Sequence, residues 1–282
     1  MKGLKNFGNT CYLNASLQML INNKDLCNLI NEYSIKSEIL NKINDFILKY
    51  YSSDIDILIP NEIKSIVETK MQQFRGFGQQ DSIEFTVCLL DIIEDEIKKF
   101  SINKVQIILG IETNTRTKCK LRTCLNISNK KETNNFLLLD INENSSTLDD
   151  IYRNYKSGEM LEDDNMYYCD KCKQKRNASK RYSVEKWAPN NLIWLKRFKQ
   201  TKNGIIKMNQ SLDIPLVWRY NMKLKGAIIH YGNLNGGHYV YVHNYNDMWY
   251  LFDDMNVSEI SDEIELKKLL AHAYCLNYEK TL

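Results

Sequence analysis

"NGGHYVYVHNYNDMWYLFDDM", residues 235 to 255, alternates apolar and polar side chains on either side of an Asn/Asp-rich break and reads as a β-hairpin. If Asn244 to Asp247 form a four-residue turn, His243 faces Met248. Counting back along an antiparallel ladder then puts His238 directly opposite Asp253, on the same face. Their Cβ atoms would lie about 5 Å apart, close enough for the carboxylate to accept a hydrogen bond from the imidazole and fix its tautomer. Gly236 and Gly237 leave room beside the histidine for another backbone, such as a threaded peptide tail. Such a pair is either a surface His-Asp contact or a base with its orienter.

Upstream, "LKGAIIHYG" (224–232), "LIWLKRFKQ" (192–200) after Pro189, "NNFLLLDI" (134–141) and "KVQIILGIET" (104–113) read as further strands. A helix is expected over 147–157 and an exposed loop over 142–150. The first hundred residues have helical spacing instead. In "QQDSIEFTVCLLDIIEDEIKKF" (79–100), Ile83, Val87, Leu90, Ile97 and Phe100 mark one face. The fold class is therefore α+β, helical at the start and sheet-rich in the second half.

The 282 residues are 43% hydrophobic, enough to bury a sizeable core. The formal charge of +3 comes from 38 basic and 35 acidic residues that are interspersed, which argues against nucleic acid or a membrane surface as partner. No apolar run is long enough to span a bilayer, and "MKGLKNFGN" has no apolar signal region, so the expected location is intracellular, cytoplasmic or nuclear. Eight cysteines in that setting are reduced thiols, some of them free to hold metal.

Cys11, in "NFGNTCYLNASLQML" (6–20), follows an Asn9-Thr10 cap signal, and Leu13, Leu17 and Leu20 after it fall at helical spacing. A cysteine at a helix N-terminus has its thiolate favoured by unpaired N–H groups and the helix dipole. It is equally the place for a small buried hydrophobe. "CDKC" at 169–172 has the spacing of half a zinc site, and Cys119 and Cys124 are candidates to close the tetrahedron. Cys27, Cys88 and Cys275 read as core residues.

Taken together, "GLKNFGNTCYLNASLQML" and "HYGNLNGGHYVYVHNYNDMWYLFDDMNVSEI" resemble the cysteine and histidine boxes of the ubiquitin-specific proteases. "GQQDSIEFTVCLLD", "GEMLEDDNMYYCDKC", "NNLIWLKRF" and "AHAYCLNYEK" are similar to segments of the same family, in the same order. The resemblance implies a papain-like cysteine peptidase: a helical thumb (1–103), mostly β fingers (104–190) and mostly β palm (191–282), in a single catalytic domain. It implies Cys11 as nucleophile, His238 as general base and acid, Asp253 as orienter, Asn6 as oxyanion donor and Asp81 as a contact for the basic ubiquitin tail. Asp81 is equally placed to cap the helix that follows it. Asp254 matches an auxiliary polar position, although strand alternation aims it away from Asp253 unless the strand is bulged. His230 matches a position near the catalytic centre and reads as a structural residue. For Cys119, Cys124, Cys169 and Cys172 the resemblance implies one structural zinc at the tips of the fingers, although the first pair here is CxxxxC and not the usual CxxC.

The activity implied is thiol-dependent cleavage after the C-terminal glycine of ubiquitin, by a monomer acting on ubiquitin or ubiquitinated proteins without an organic cofactor. The alternatives are a catalytically silent ubiquitin-binding scaffold and a peptidase for another ubiquitin-like modifier.

Overall fold

A computed structural model describes all 282 residues except 53, 203, 234, 235 and 282. Leu234 and Asn235, at the start of the hairpin stretch, therefore lie outside the described residues.

The helices come first: α1 (Cys11–Ile21), α2 (Lys24–Ser34), α3 (Glu38–Ser52), α4 (Asn61–Lys70), α5 (Ser82–Lys98) and α6 (Lys104–Leu109). The last of these corrects the strand expected from residue 104. "KVQIIL" is a short apolar run whose periodicity does not separate strand from helix, and Val105 and Leu109, one turn apart, are its buried residues. The strand begins after Gly110, at Ile111. Similarly, α1 is not amphipathic, since all eleven of its residues are buried. Its polar members are paired inside: Ser16 Oγ donates to Ser82 O, and Gln18 Oε1 accepts from the Tyr50 hydroxyl at 2.7 Å.

The main sheet runs in the order Asn256–Ile260, Met248–Asp253, Gly236–Tyr245, Met222–Asn233, Ala273–Lys280, Asn190–Lys196 and Phe136–Asp140, with Val217–Trp218 beside Met222–Asn233. Only the last neighbouring pair is parallel. Alternate side chains serve two cores. Ile228, Tyr241 and Phe252 pack toward α1 to α6. Ala227, Ile229, Val240 and Val242 face α7 (Leu148–Ser157) and α8 (Glu263–Leu270). The expected loop at 142–150 is partly built in: Ser145 is buried, and Thr147 with Asp150 forms the capping box of α7.

A second, four-stranded sheet (Ile127–Asn134, Ile111–Cys119, Ala178–Lys186, Glu159–Leu161, in that order) is separate from the main one. A small hairpin pairs Tyr167–Cys169 with Gln174–Arg176, between the last two of those strands in the chain.

Candidate active site

Cys11 is the first residue of α1 and is 5% exposed. The N-cap, Thr10, makes no capping bond, because its hydroxyl accepts from Phe7 N and donates to Asn6 Oδ1. The first-turn N–H groups of α1 are therefore not engaged by the side chain of the N-cap.

His238 Nε2 donates to Asp253 Oδ1 at 2.6 Å, leaving Nδ1 for the thiol. The neighbouring Cys11 sulfur, foremost, and the bond to Asp253 raise the His238 imidazole from its ordinary 6.5 to about 9 against the opposing effect of burial. The expected register is corrected. The chain turns through two residues, Asn246 and Asp247, both with positive φ, so Tyr245 pairs with Met248 and His243 with Tyr250. Continuing that ladder would set Asp253 against Val240, not against His238. The shift is by two residues, so both side chains keep the same face and meet diagonally beyond the last described rung, Tyr241 with Phe252.

Asp254 has φ 51 in the turn that follows the strand, which frees it from strand alternation. Its Oδ2 accepts from Asn6 Nδ2 and its Oδ1 from Asn14 Nδ2, both at 2.7 Å, and its backbone oxygen accepts from Leu4 N. Asn6 Oδ1 in turn accepts from Thr10 N and Oγ1 at 3.1 Å each. The Asn6 amide is thus oriented at both ends, with one N–H left over. Sequence reasoning missed Asn14 altogether, because an asparagine among the apolar residues of a helix carries no signal in its spacing.

Asp81 both caps a helix and lines a cleft of about 290 Å³ shared with Cys11, Tyr12, Gln79, His230 and Tyr239. Its Oδ1 accepts from Ile83 N and Glu84 N at the start of α5, and its Oδ2 accepts from the Tyr239 and Tyr274 hydroxyls. The room at Gly237 is used internally, because a Cβ there would collide with His230 Nε2. His230, its ring tilted against that of Tyr239 with centroids 4.5 Å apart, is held neutral: burial first, then Lys207 and Arg197, lower it to about 4. It is unsuited to act as a base at neutral pH.

Two cations finish this end of the sheet. The ladder between Met222–Asn233 and Ala273–Lys280 stops at Ile229 with Ala273, and Lys207 Nζ donates to the next two same-edge carbonyls, His230 O at 3.0 Å and Gly232 O at 2.8 Å. Arg197, 1% exposed, donates to the carbonyls of Ala273, Met208, Gln210 and Ala271. Neither role has a sequence signature.

The sulfurs of Cys119, Cys124, Cys169 and Cys172 lie within 4.8 Å of one another, with Cys124 and Cys169 3.7 Å apart. A zinc tetrahedron with arms of about 2.3 Å has edges of about 3.8 Å, so the CxxxxC spacing fits as well as CxxC does. The Cys172 backbone N–H, foremost, holds the Cys169 thiol down to about 6, while the Cys124 sulfur pushes Cys172 up to about 12. So many thiols in one space are suited to a soft divalent cation that keeps them as thiolates. Cys88 and Cys275 are buried, and Cys27 is half-buried with its thiol on Ile21 O.

Residues 2–278 match the family model described as ubiquitin carboxyl-terminal hydrolase. The chain is 28% identical to ubiquitin carboxyl-terminal hydrolase 12 of Salmo salar, over 92% of this chain and 81% of that protein. It is 27% identical to hydrolase 23 of Arabidopsis thaliana and to hydrolase Usp2 of Drosophila melanogaster, over 98% and 99% of this chain but only 35% of each relative's length. Among solved structures, chains of the SAGA DUB module bound to monoubiquitin and to ubiquitin aldehyde superpose over 100% of this chain with TM-score 0.81, at 23% and 22% identity. They are covered over 69% and 70% of their own lengths. That likeness carries the fold, papain-like α+β with thumb, palm and fingers.

Proposed function

Since the chain belongs to the ubiquitin carboxyl-terminal hydrolase family, whose members are cysteine-type deubiquitinases, we propose that it cleaves the bond after the C-terminal glycine of ubiquitin with Cys11 as nucleophile. The observation that carries this reading is the ordered set at one point: Cys11 at a helix N-terminus, beside His238, which donates to Asp253 at 2.6 Å.

The Cys11 thiolate attacks the glycine carbonyl carbon, and the C–N bond breaks as the His238 imidazolium gives its proton to the leaving lysine amine. A water then attacks the thioester, losing its proton to His238, and the thiol leaves. Asp253 keeps the imidazole in one tautomer and stabilises its cation. The free N–H of Asn6, with the Cys11 backbone N–H, stabilises the tetrahedral oxyanion. Asp81, its oxygens already engaged, contributes negative charge to the cleft that a basic tail enters. Cys119, Cys124, Cys169 and Cys172 would hold a zinc, whose contribution is structural. The same reading assigns 1–103 to the thumb, 104–190 mostly to the fingers and 191–282 mostly to the palm, in a monomer acting inside the cell on ubiquitin conjugates. No helix among the described residues is long and apolar enough to cross a membrane.

The test is incubation with ubiquitin carrying a C-terminal electrophile. Wild-type protein is expected to form a covalent 1:1 adduct and Cys11→Ala none; no adduct on folded wild-type protein overturns the assignment.

A further inference from the structure

Positive charge is concentrated in the strands and turns around the four-stranded sheet. Between Thr115 and Lys131 the sequence has six cations and no carboxylate, and between Met166 and Arg181 six cations against Asp170 alone. The whole chain carries only +3, so the remainder is net negative. Folding gathers these two distant stretches into one hairpin-built region.

Register sorts their side chains by face. Arg116 pairs with Asn129 on one neighbouring strand and with Arg181 on the other; Lys131 pairs with Asn114, two residues before Arg116, and Lys118 lies two residues after it. Opposed residues and their i±2 neighbours share a face, so Arg116, Lys118, Lys131 and Arg181 form one cluster. The opposite face, with Thr115, Glu132 and Tyr182, lines the concavity against the main sheet, and there Lys180 meets Glu159. The cluster therefore points away from that concavity. None of its four cations has an ion-pair partner among the described residues. Arg116 and Arg181 stand directly opposite each other, an arrangement that costs stability unless an anion lies across them.

We propose that this outer face is a docking surface for an acidic, extended protein segment. Charge complementarity selects the sign, and two guanidiniums suit bidentate carboxylate recognition. An extended chain repeats its same-side residues about every 6.8 Å, the spacing of Arg116 and Lys118 along their strand. The sheet also offers such a segment a free backbone edge: Ile127–Asn134 is the edge strand, exposed along its whole length, and it carries Lys131. A duplex nucleic acid fits less well. The cluster is three strands, about 10 Å, wide. It is bounded by the acidic run Glu162 to Asp164 beyond Leu161, whereas duplex binding spreads over some 6–10 phosphates.

The experiment is fluorescence anisotropy of a labelled 12-residue peptide of alternating Glu and Ser with the full chain, beside a 12-base-pair DNA duplex, in about 50 mM salt. Wild-type protein is expected to bind the peptide, and Arg116→Gln/Arg181→Gln to bind it at least tenfold more weakly. Removing the like-charge pair is expected to leave Tm unchanged or higher and labelling by the ubiquitin electrophile intact, which separates loss of docking from misfolding and from failure of the proposed activity. Lys118→Gln/Lys131→Gln is a second variant expected to lose affinity. No peptide binding by wild type, equal binding by both folded variants, or tighter binding of the duplex overturns the proposal.

Discussion

Asp254 orients Asn6, five residues before Cys11, and it does so with one carboxylate oxygen for each of two amides. Asp254→Ala releases Asn6 Nδ2 and leaves Asn14 Nδ2 with only Leu4 O. Steady-state kinetics on a ubiquitin–fluorophore conjugate are expected to show kcat reduced about tenfold with KM little changed. Asn6→Ala, which removes the donor itself, is expected to cost about 100-fold. An increase in KM alone would mean that Asp254 supports substrate binding and not the oxyanion. The pairing of His238 with Asp253 and the helix-start position of Cys11 were legible in the sequence because each lies in a short local pattern, and Asn6 was singled out through the family resemblance alone. The role of Asp254 was not, because alternation predicts side-chain direction only inside a strand, and φ 51 places it just outside one. Lys207 and Arg197 were illegible for a related reason. What they bind are backbone carbonyls, which every residue has.

At the scale of elements, the hairpin shows how a correct pairing can come from a wrong register. Periodicity located both strands, but turn length depends on whether Asn246 and Asp247 adopt positive φ, as both do. An even slip preserved the face, and so preserved the His238 and Asp253 contact. Placing the pair beyond the ladder leaves side-chain geometry, not strand pairing, to hold it. Its titration is then sensitive to either partner. His238 has a folded pKa raised to about 9, so the stabilisation from its cation is fully present below about 6.5 and is lost as pH rises through about 9. The alkaline limb of kcat/KM is expected near 9. In Asp253→Asn, which deletes the second cause of that shift, the limb is expected to move down toward neutrality, with kcat lower at every pH. A pH profile with an unmoved limb would remove Asp253 from the role of orienter. Short apolar runs were the other weak point: "KVQIIL" satisfied a strand pattern and became α6 because one turn of it buries Val105 and Leu109.

For the molecule as a whole, the partition of apolar residues explains why a metal would matter. The two cores hold the helices and the main sheet, yet from the four-stranded sheet only Ile111, among the described residues, joins either of them as a buried member, with Val184 packed against it, while Cys119 and Ala178 are buried apart from both. Ile127–Asn134 is exposed throughout. A region with so little apolar burial needs another source of order, and four cysteines from two hairpins converging within 4.8 Å supply one when zinc binds. That convergence was readable from spacing, whereas the one-sided distribution of cations across the same sheet was not, because it depends on strand register. Elemental analysis of freshly purified protein is expected to find about one zinc per chain, absent in Cys169→Ser. In that variant hydrogen exchange is expected to accelerate across 112–134 and 159–183 while α1, Phe136–Asp140, Met222–Asn233 and Gly236–Tyr245 stay protected, since of the four-stranded sheet only Ile111 and Val184 reach their cores. Labelling of Cys11 by a small thiol reagent should persist while KM for a ubiquitin substrate rises severalfold. Zinc-free wild-type protein with protected fingers would show instead that the strand pairing alone holds this sheet.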